Sequence, residues 1–117
     1  MAALAAAATV STAAQAAGDA KRGEDLYESR CTGCHSVDED RVGPRHRDVV
    51  GRKAGAVAGF DYSPALKKTG FAWDAARLDR WLADPEKLVP GQKMGYSVPE
   101  AGDRADLIAY LASVSKR

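Results

Sequence analysis

Apolar positions along this chain fall into four helix-spaced groups separated by polar, glycine-bearing stretches. The first follows Asp19, where Ala20, Gly23, Leu26 and Tyr27 mark a helix that Asp19 can cap and that runs to about Arg30. Gly23 and Tyr27 lie four apart and so share a face. A glycine inside a helix costs about 1 kcal/mol relative to alanine, so Gly23 predicts the close approach of a second helix. Ser63 as cap, Pro64 in the first turn and Gly70 beyond the end predict a short helix to Lys68. Asp74 caps a third helix to about Ala83, which buries Leu78, Trp81 and Leu82 and is stopped by Asp84-Pro85. The last helix is predicted from Asp103 to about Val114, with Leu107, Tyr110, Leu111 and Val114 at three- and four-residue spacing. No run alternates in the manner of a strand, so the expected class is all-α, with four to five helices.

The stretches between these helices are long. Val37 to Gly59 is punctuated by Gly43-Pro44, Gly51, Gly55 and Gly59, and Lys87 to Pro99 is again rich in proline and glycine. Loops of this length in a small domain need something to wrap. The chain has 117 residues, 45% of them hydrophobic, which suits one domain over residues 18–117 whose modest core is helped by a bound group. Seventeen basic and sixteen acidic residues leave a net charge of +1, which gives no basic footprint for nucleic acid. Residues 1–17 stand apart. They are Ala-rich and uncharged and end in Ala14-Gln15-Ala16, a small-x-small cleavage pattern, so they read as a signal peptide without the usual basic start, which points either to a truncated leader or to a misassigned start codon. The competing reading is an Ala-rich tail. The run is too short for a bilayer span. A real leader places the mature protein outside the cytoplasm, in the periplasm.

The chemistry concentrates in Cys31-Thr32-Gly33-Cys34-His35, which holds both cysteines and one of the two histidines of the chain. This is the pattern of covalent haem c attachment. Two thiols three positions apart can each meet one vinyl group on a porphyrin edge, and the next residue, His35, is then placed to ligate the iron. A thioredoxin-like pair needs a strand-to-helix setting that is not visible. A zinc site needs more ligands in finger spacing, and a plain disulfide leaves His35 unexplained. For the sixth ligand, Met94 sits in Pro90-Gly91-Gln92-Lys93-Met94-Gly95-Tyr96, a polar loop without the apolar period of a core methionine. A loop thioether presented to iron accounts for it, since His/Met is a usual pairing in cytochromes c. His46, in Gly43-Pro44-Arg45-His46-Arg47, is read as a residue beside the haem or on the surface rather than a ligand.

With these residues in view, the chain resembles class I cytochromes c of the mitochondrial and soluble purple-bacterial type. The resemblance runs from Gly18 to Lys116, through Gly23 and Tyr27, Cys31 to His35, Gly43-Pro44, Gly51-Arg52-Lys53, Gly59 to Tyr62, Gly70 to Trp73, Pro90 to Met94 and Arg104 to Leu111. It implies the cytochrome c fold wrapped around one haem, with His35 and Met94 as axial ligands. It implies that Gly23 and Tyr27 cross Leu107, Tyr110 and Leu111, and that the Pro44 carbonyl accepts a hydrogen bond from His35. It also implies that Arg52, Tyr62 and Trp73 hold a buried haem propionate. Three departures stand out: the segment between His35 and Gly43 is shorter, His46 replaces an apolar residue, and Leu66 and Trp81 replace more polar ones.

The implied function is that of a monomeric single-electron carrier, not an enzyme. Its expected partners are transient redox proteins: a cytochrome bc complex, a terminal oxidase, a photosynthetic reaction centre or a periplasmic dehydrogenase. Arg30, Arg41, Lys67, Lys68, Lys87 and Lys93 are the candidates for a basic docking ring, with Glu86 and Glu100 nearby. A haem ligand sensor or peroxidase is the reading from another class, and it requires an open sixth site.

Overall fold

The computed structural model describes residues 2–3, 5–6 and 18–116. The leader predicted over residues 1–17 therefore lies outside the described residues, residues 2, 3, 5 and 6 apart. Among the described residues five helices appear, α1 (Ala20–Arg30), α2 (Pro64–Lys67), α3 (Ala75–Ala83), α4 (Pro85–Leu88) and α5 (Ala101–Ser113). Among the described residues the only β pairing is an isolated bridge between Lys53 and Ala72. Among the described residues no helix is long and apolar enough to cross a membrane.

The caps explain where the helices begin. The Asp19 carboxylate accepts from the backbone N–H groups of Lys21 and Arg22 at 3.0 and 3.1 Å, two of the four donors that a helix start leaves open. Ser63 accepts from Leu66 N at 3.1 Å and Asp74 from Arg77 N at 2.7 Å. Replacing Asp19 by alanine is expected to cost about 1 kcal/mol in denaturant unfolding, because its side chain leaves while its backbone N–H keeps its bond to Asp106 Oδ1.

Two boundaries differ from the sequence expectation. Asp84-Pro85 stops α3 and also starts α4: Asp84 accepts from Lys87 N at 3.2 Å and Pro85 occupies the first turn. Helix α5 begins at Ala101, with Glu100 making no side-chain cap. The Asp103 carboxylate, at the predicted start, is held by Arg22 at 2.8 Å and Arg30 at 3.1 Å.

Helices α1 and α5 cross closely because Gly23 lets them. A Cβ at Gly23 would lie 1.9 Å from the Asp106 carbonyl oxygen. Around this crossing Tyr27, Leu107 and Leu111 are buried, and the Tyr27 and Tyr110 rings are 5.2 Å apart. Arg22 closes one edge of the seam with ion pairs to Asp103 and Asp106; at this exposure their contribution is mainly alignment. Helix α3 adds Leu78 and Leu82 to the same core, with Val98 fully buried below. Arg104 ties α5 to α3 through Asp79 at 2.8 Å and caps the carbonyls of Val98 and Pro99. Asp48, in the left-handed region at φ 62°, accepts from Lys116 N and donates its own N–H to Val114 O, which fixes the long loop to the chain's end.

Candidate functional site

The last turn of α1 runs directly into the cysteine motif. Cys31 N–H bonds to Tyr27 O at 2.8 Å, and the N–H groups of Cys34 and His35 both return to Cys31 O, at 3.1 and 2.8 Å. One turn thus presents both sulfurs and the imidazole together. Both cysteines are unpaired thiols, Cys34 exposed and Cys31 half-buried against the core. Burial pushes the Cys31 thiol up to about 11, so it is protonated at neutral pH. Among the described residues no three His, Cys, Asp or Glu side chains cluster closely enough to hold a metal ion by themselves.

His35 is oriented by the Gly43-Pro44 step. Its Nδ1 lies 2.9 Å from the Pro44 carbonyl oxygen. A carbonyl can only accept, so Nδ1 carries the hydrogen and the lone pair is left on Nε2. Burial lowers the His35 pKa, partly offset by the Pro44 bond, which keeps the ring neutral and able to ligate. Gly43 supplies the space. A Cβ there would sit 2.0 Å from His35 Cε1, so any side chain would collide with the ring.

His46, expected beside the haem or at the surface, packs against His35. The two rings stack with centroids 4.1 Å apart and planes 25° apart. His46 Nδ1 is 2.9 Å from Tyr27 Oη. Burial first, then His35 and Arg52, hold the His46 pKa well below its ordinary value. No local pattern points to the Tyr27–His46 pair, because the two groups stand 19 positions apart and meet only through the fold.

The structure places Arg52 and Trp73 side by side: Trp73 N–H donates to Arg52 O at 2.9 Å. Arg52 directs its guanidinium to the carbonyls of Arg45 and Arg47, both at 3.0 Å. Trp73 is buried between Phe71 and Trp81, edge to face at 5.1 and 5.4 Å. Tyr62 is buried, and its hydroxyl accepts from Val57 N at 3.0 Å; burial raises its pKa.

Met94 is half-buried and packs on the core that also holds Trp73, Leu82, Val98 and the Cys31 side chain. Most of that core lies far from Met94 in sequence, so no periodicity around it revealed the packing. Among the six basic candidates, Lys67, Lys68, Lys87 and Lys93 are exposed. Arg30 is engaged by Asp103, and Arg41 lies 3.8 Å from Glu39.

The donor set fits a haem c. Two unpaired thiols share one turn, a neutral imidazole offers Nε2, and a thioether lies on the core that the first thiol joins. Among the described residues no strand adjoins the thiol pair as a thioredoxin site requires.

Comparison with known proteins agrees. The family profile described as Cytochrome c matches residues 20–115. The chain is similar to cytochrome c2 of Rhodomicrobium vannielii, 45% identical over 107 residues, covering 88% of this chain and 85% of the relative. It is similar to a cytochrome c of Gibberella zeae, 41% identical over 105 residues, covering 86% of this chain and 99% of the relative. Among solved structures, cytochrome cH from Methylobacterium extorquens superposes with a TM-score of 0.78 at 45% identity, over 82% of this chain and 99% of that one. A helical fold built around the motif turn, matched over nearly its whole length by these relatives, places the chain in the cytochrome c family.

Proposed function

We propose that this chain is a single-electron carrier in which one haem c is held by thioether bonds to Cys31 and Cys34 and ligated by His35 and Met94. The observation that carries this reading is the turn that brings both thiols and His35 together with His35 Nδ1–H committed to Pro44. When bound, the haem supplies the one-electron iron couple.

The protein's own groups do the rest. Pro44 keeps the His35 ring in one tautomer and one plane, which makes Nε2 the better donor. His46 and Gly43 confine that ring from two sides. Arg52, Tyr62 and Trp73 would hold a haem propionate, since a buried carboxylate needs charged and neutral donors. With His35 and Met94 both engaged, a bound haem would offer no position to a substrate, which supports electron carriage over catalysis or ligand sensing.

Its partners are transient redox proteins: a cytochrome bc complex, a terminal oxidase, a reaction centre or a periplasmic dehydrogenase. The exposed Lys67, Lys68, Lys87 and Lys93 would meet their acidic surfaces, and association should slow as salt rises. The small-x-small pattern at Ala14 to Ala16 supports export to the periplasm, and the chain works there as a monomer.

The test is pyridine haemochrome analysis of the matured protein together with its intact mass. One c-type haem on a chain starting near Gly18 is the expected result; a colourless or haem-free protein ends the proposal. Replacing Met94 by alanine should abolish the far-red sulfur-to-iron absorption band of the ferric protein and lower its reduction potential. An unchanged band would remove Met94 from the ligand set, and rapid cyanide or carbon monoxide binding by a parent protein without the band would favour a sensor or enzyme.

A further inference from the structure

The segment that carries Met94 is short of main-chain support. Gln92 N–H bonds to Val89 O at 3.1 Å and Val98 N–H to Leu82 O at 2.7 Å. Between these two points residues 93–97 make no backbone–backbone hydrogen bond among the described residues. What holds the segment is a pair of side-chain ties, one on each side of Met94.

The first comes from α4. The Glu86 carboxylate accepts from Gly91 N at 2.8 Å and from Gln92 Nε2 at 3.1 Å. This turns the other end of the Gln92 amide toward the chain, and Gln92 Oε1 accepts from the Met94 backbone N–H at 2.5 Å. The second comes from α1. Arg30, the residue before Cys31, donates from Nε to Tyr96 Oη at 2.7 Å, and its guanidinium carbon lies 5.7 Å from the Tyr96 ring centroid. Arg30 is itself fixed, because Nη1 bonds to Asp103 at 3.1 Å and Asp103 is also held by Arg22. Tyr96 is 41% exposed, so its apolar burial is incomplete and the hydroxyl contact is what orients it.

We infer that Glu86 with Gln92 and Arg30 with Tyr96 form a two-sided bracket that positions Met94 and sets how often its loop lifts away from the iron. This rests on the His35/Met94 reading above. The bracket joins the loop to two helices, and on the α1 side it reaches the residue next to the first attachment thiol. Movement of the loop therefore requires breaking a tie on at least one side. Each tie includes an ionised group, and such hydrogen bonds are the stronger ones.

The test uses ferric holoprotein and an exogenous ligand, cyanide, whose entry requires Met94 to leave. Tyr96→Phe deletes one hydroxyl and keeps the ring, and Gln92→Ala removes the acceptor of the Met94 N–H. Each variant should raise the cyanide association rate by about three- to tenfold. In the double variant the two factors should multiply, as for independent sites, while the far-UV thermal midpoint stays close to that of the parent. Rates within twofold of the parent in both single variants overturn the bracket. So does a rate increase matched by an equal loss of global stability, which would mean general loosening. A parent protein that lacks the sulfur-to-iron band, or a Met94→Ala variant that keeps it, defeats the ligation reading instead, so the two failures can be told apart.

Discussion

Holoprotein carrying both Cys31→Ser and Cys34→Ser will release its whole pigment into acidified acetone, whereas the parent keeps it. Serine is close to cysteine in size, so the turn should survive: its bonds run through the backbone of Tyr27, Cys31, Cys34 and His35. The Pro44 bond to His35 should survive too, since neither partner changes. What is lost is the sulfur able to form a thioether. The outcome is therefore specific to attachment, and intact mass checks it directly: the parent should carry the added mass of one haem and the double variant none. Each single variant should keep one covalent link and remain coloured after extraction. The loss should also be felt as instability, because the core of a domain this small leans on its bound group. Retention of pigment in the double variant would show that the thiols are not the points of attachment.

Gly23→Ala will be the most damaging change of a single methyl group in the helical frame. The new Cβ would stand 1.9 Å from the Asp106 carbonyl oxygen and 2.9 Å from Tyr110 Cβ. The first obstacle is backbone, which cannot swing aside as a side chain can, so α1 and α5 must separate. Overpacking of this kind costs about 1–3 kcal/mol, occasionally more, against about 1 kcal/mol gained from better helix propensity. Because the obstacle is backbone, the cost should fall at the upper end of that range and leave a net loss of about 2 kcal/mol, a large part of a stability that is typically about 5–15 kcal/mol. Gly102→Ala supplies the control. It is also helical, but no atom lies within 4 Å of its added Cβ, so the change should be neutral or slightly stabilising. Chemical denaturation of both variants checks the contrast, and equal effects would refute the account of the crossing.

The features that were legible in the sequence are those written locally. Asp19, Ser63 and Asp74 announced helix starts because a cap acts within three residues. Gly23 with Tyr27 announced a close crossing because a helix periodicity puts them on one face. The resemblance pointed to the His35–Pro44 contact, which the structure contains. Other features escaped because their causes are distant. Asp103 marked the predicted start of the last helix, yet it lies inside α5 and its carboxylate serves two arginines more than 70 residues away in sequence. Asp84-Pro85 looked only like a stop, although a breaker of one helix can be the first turn of the next. Arg30 was counted with a docking ring, but Asp103 and Tyr96 occupy it. The His46 stack on His35 could not be read at all, since nothing in the order of residues says which ring will meet which.

The partnership of α1 with α5 has a consequence for the order of events during synthesis. The helix nearest the start of the fold finds its mate, Leu107 and Leu111, only when nearly the entire polypeptide has been made. Until then its buried face has nothing to close upon, and the motif just after it remains in open chain. Contacts so distant in sequence slow assembly. Nearly the full length must therefore be present before the molecule can shut, leaving an interval in which both sulfurs stand unobstructed.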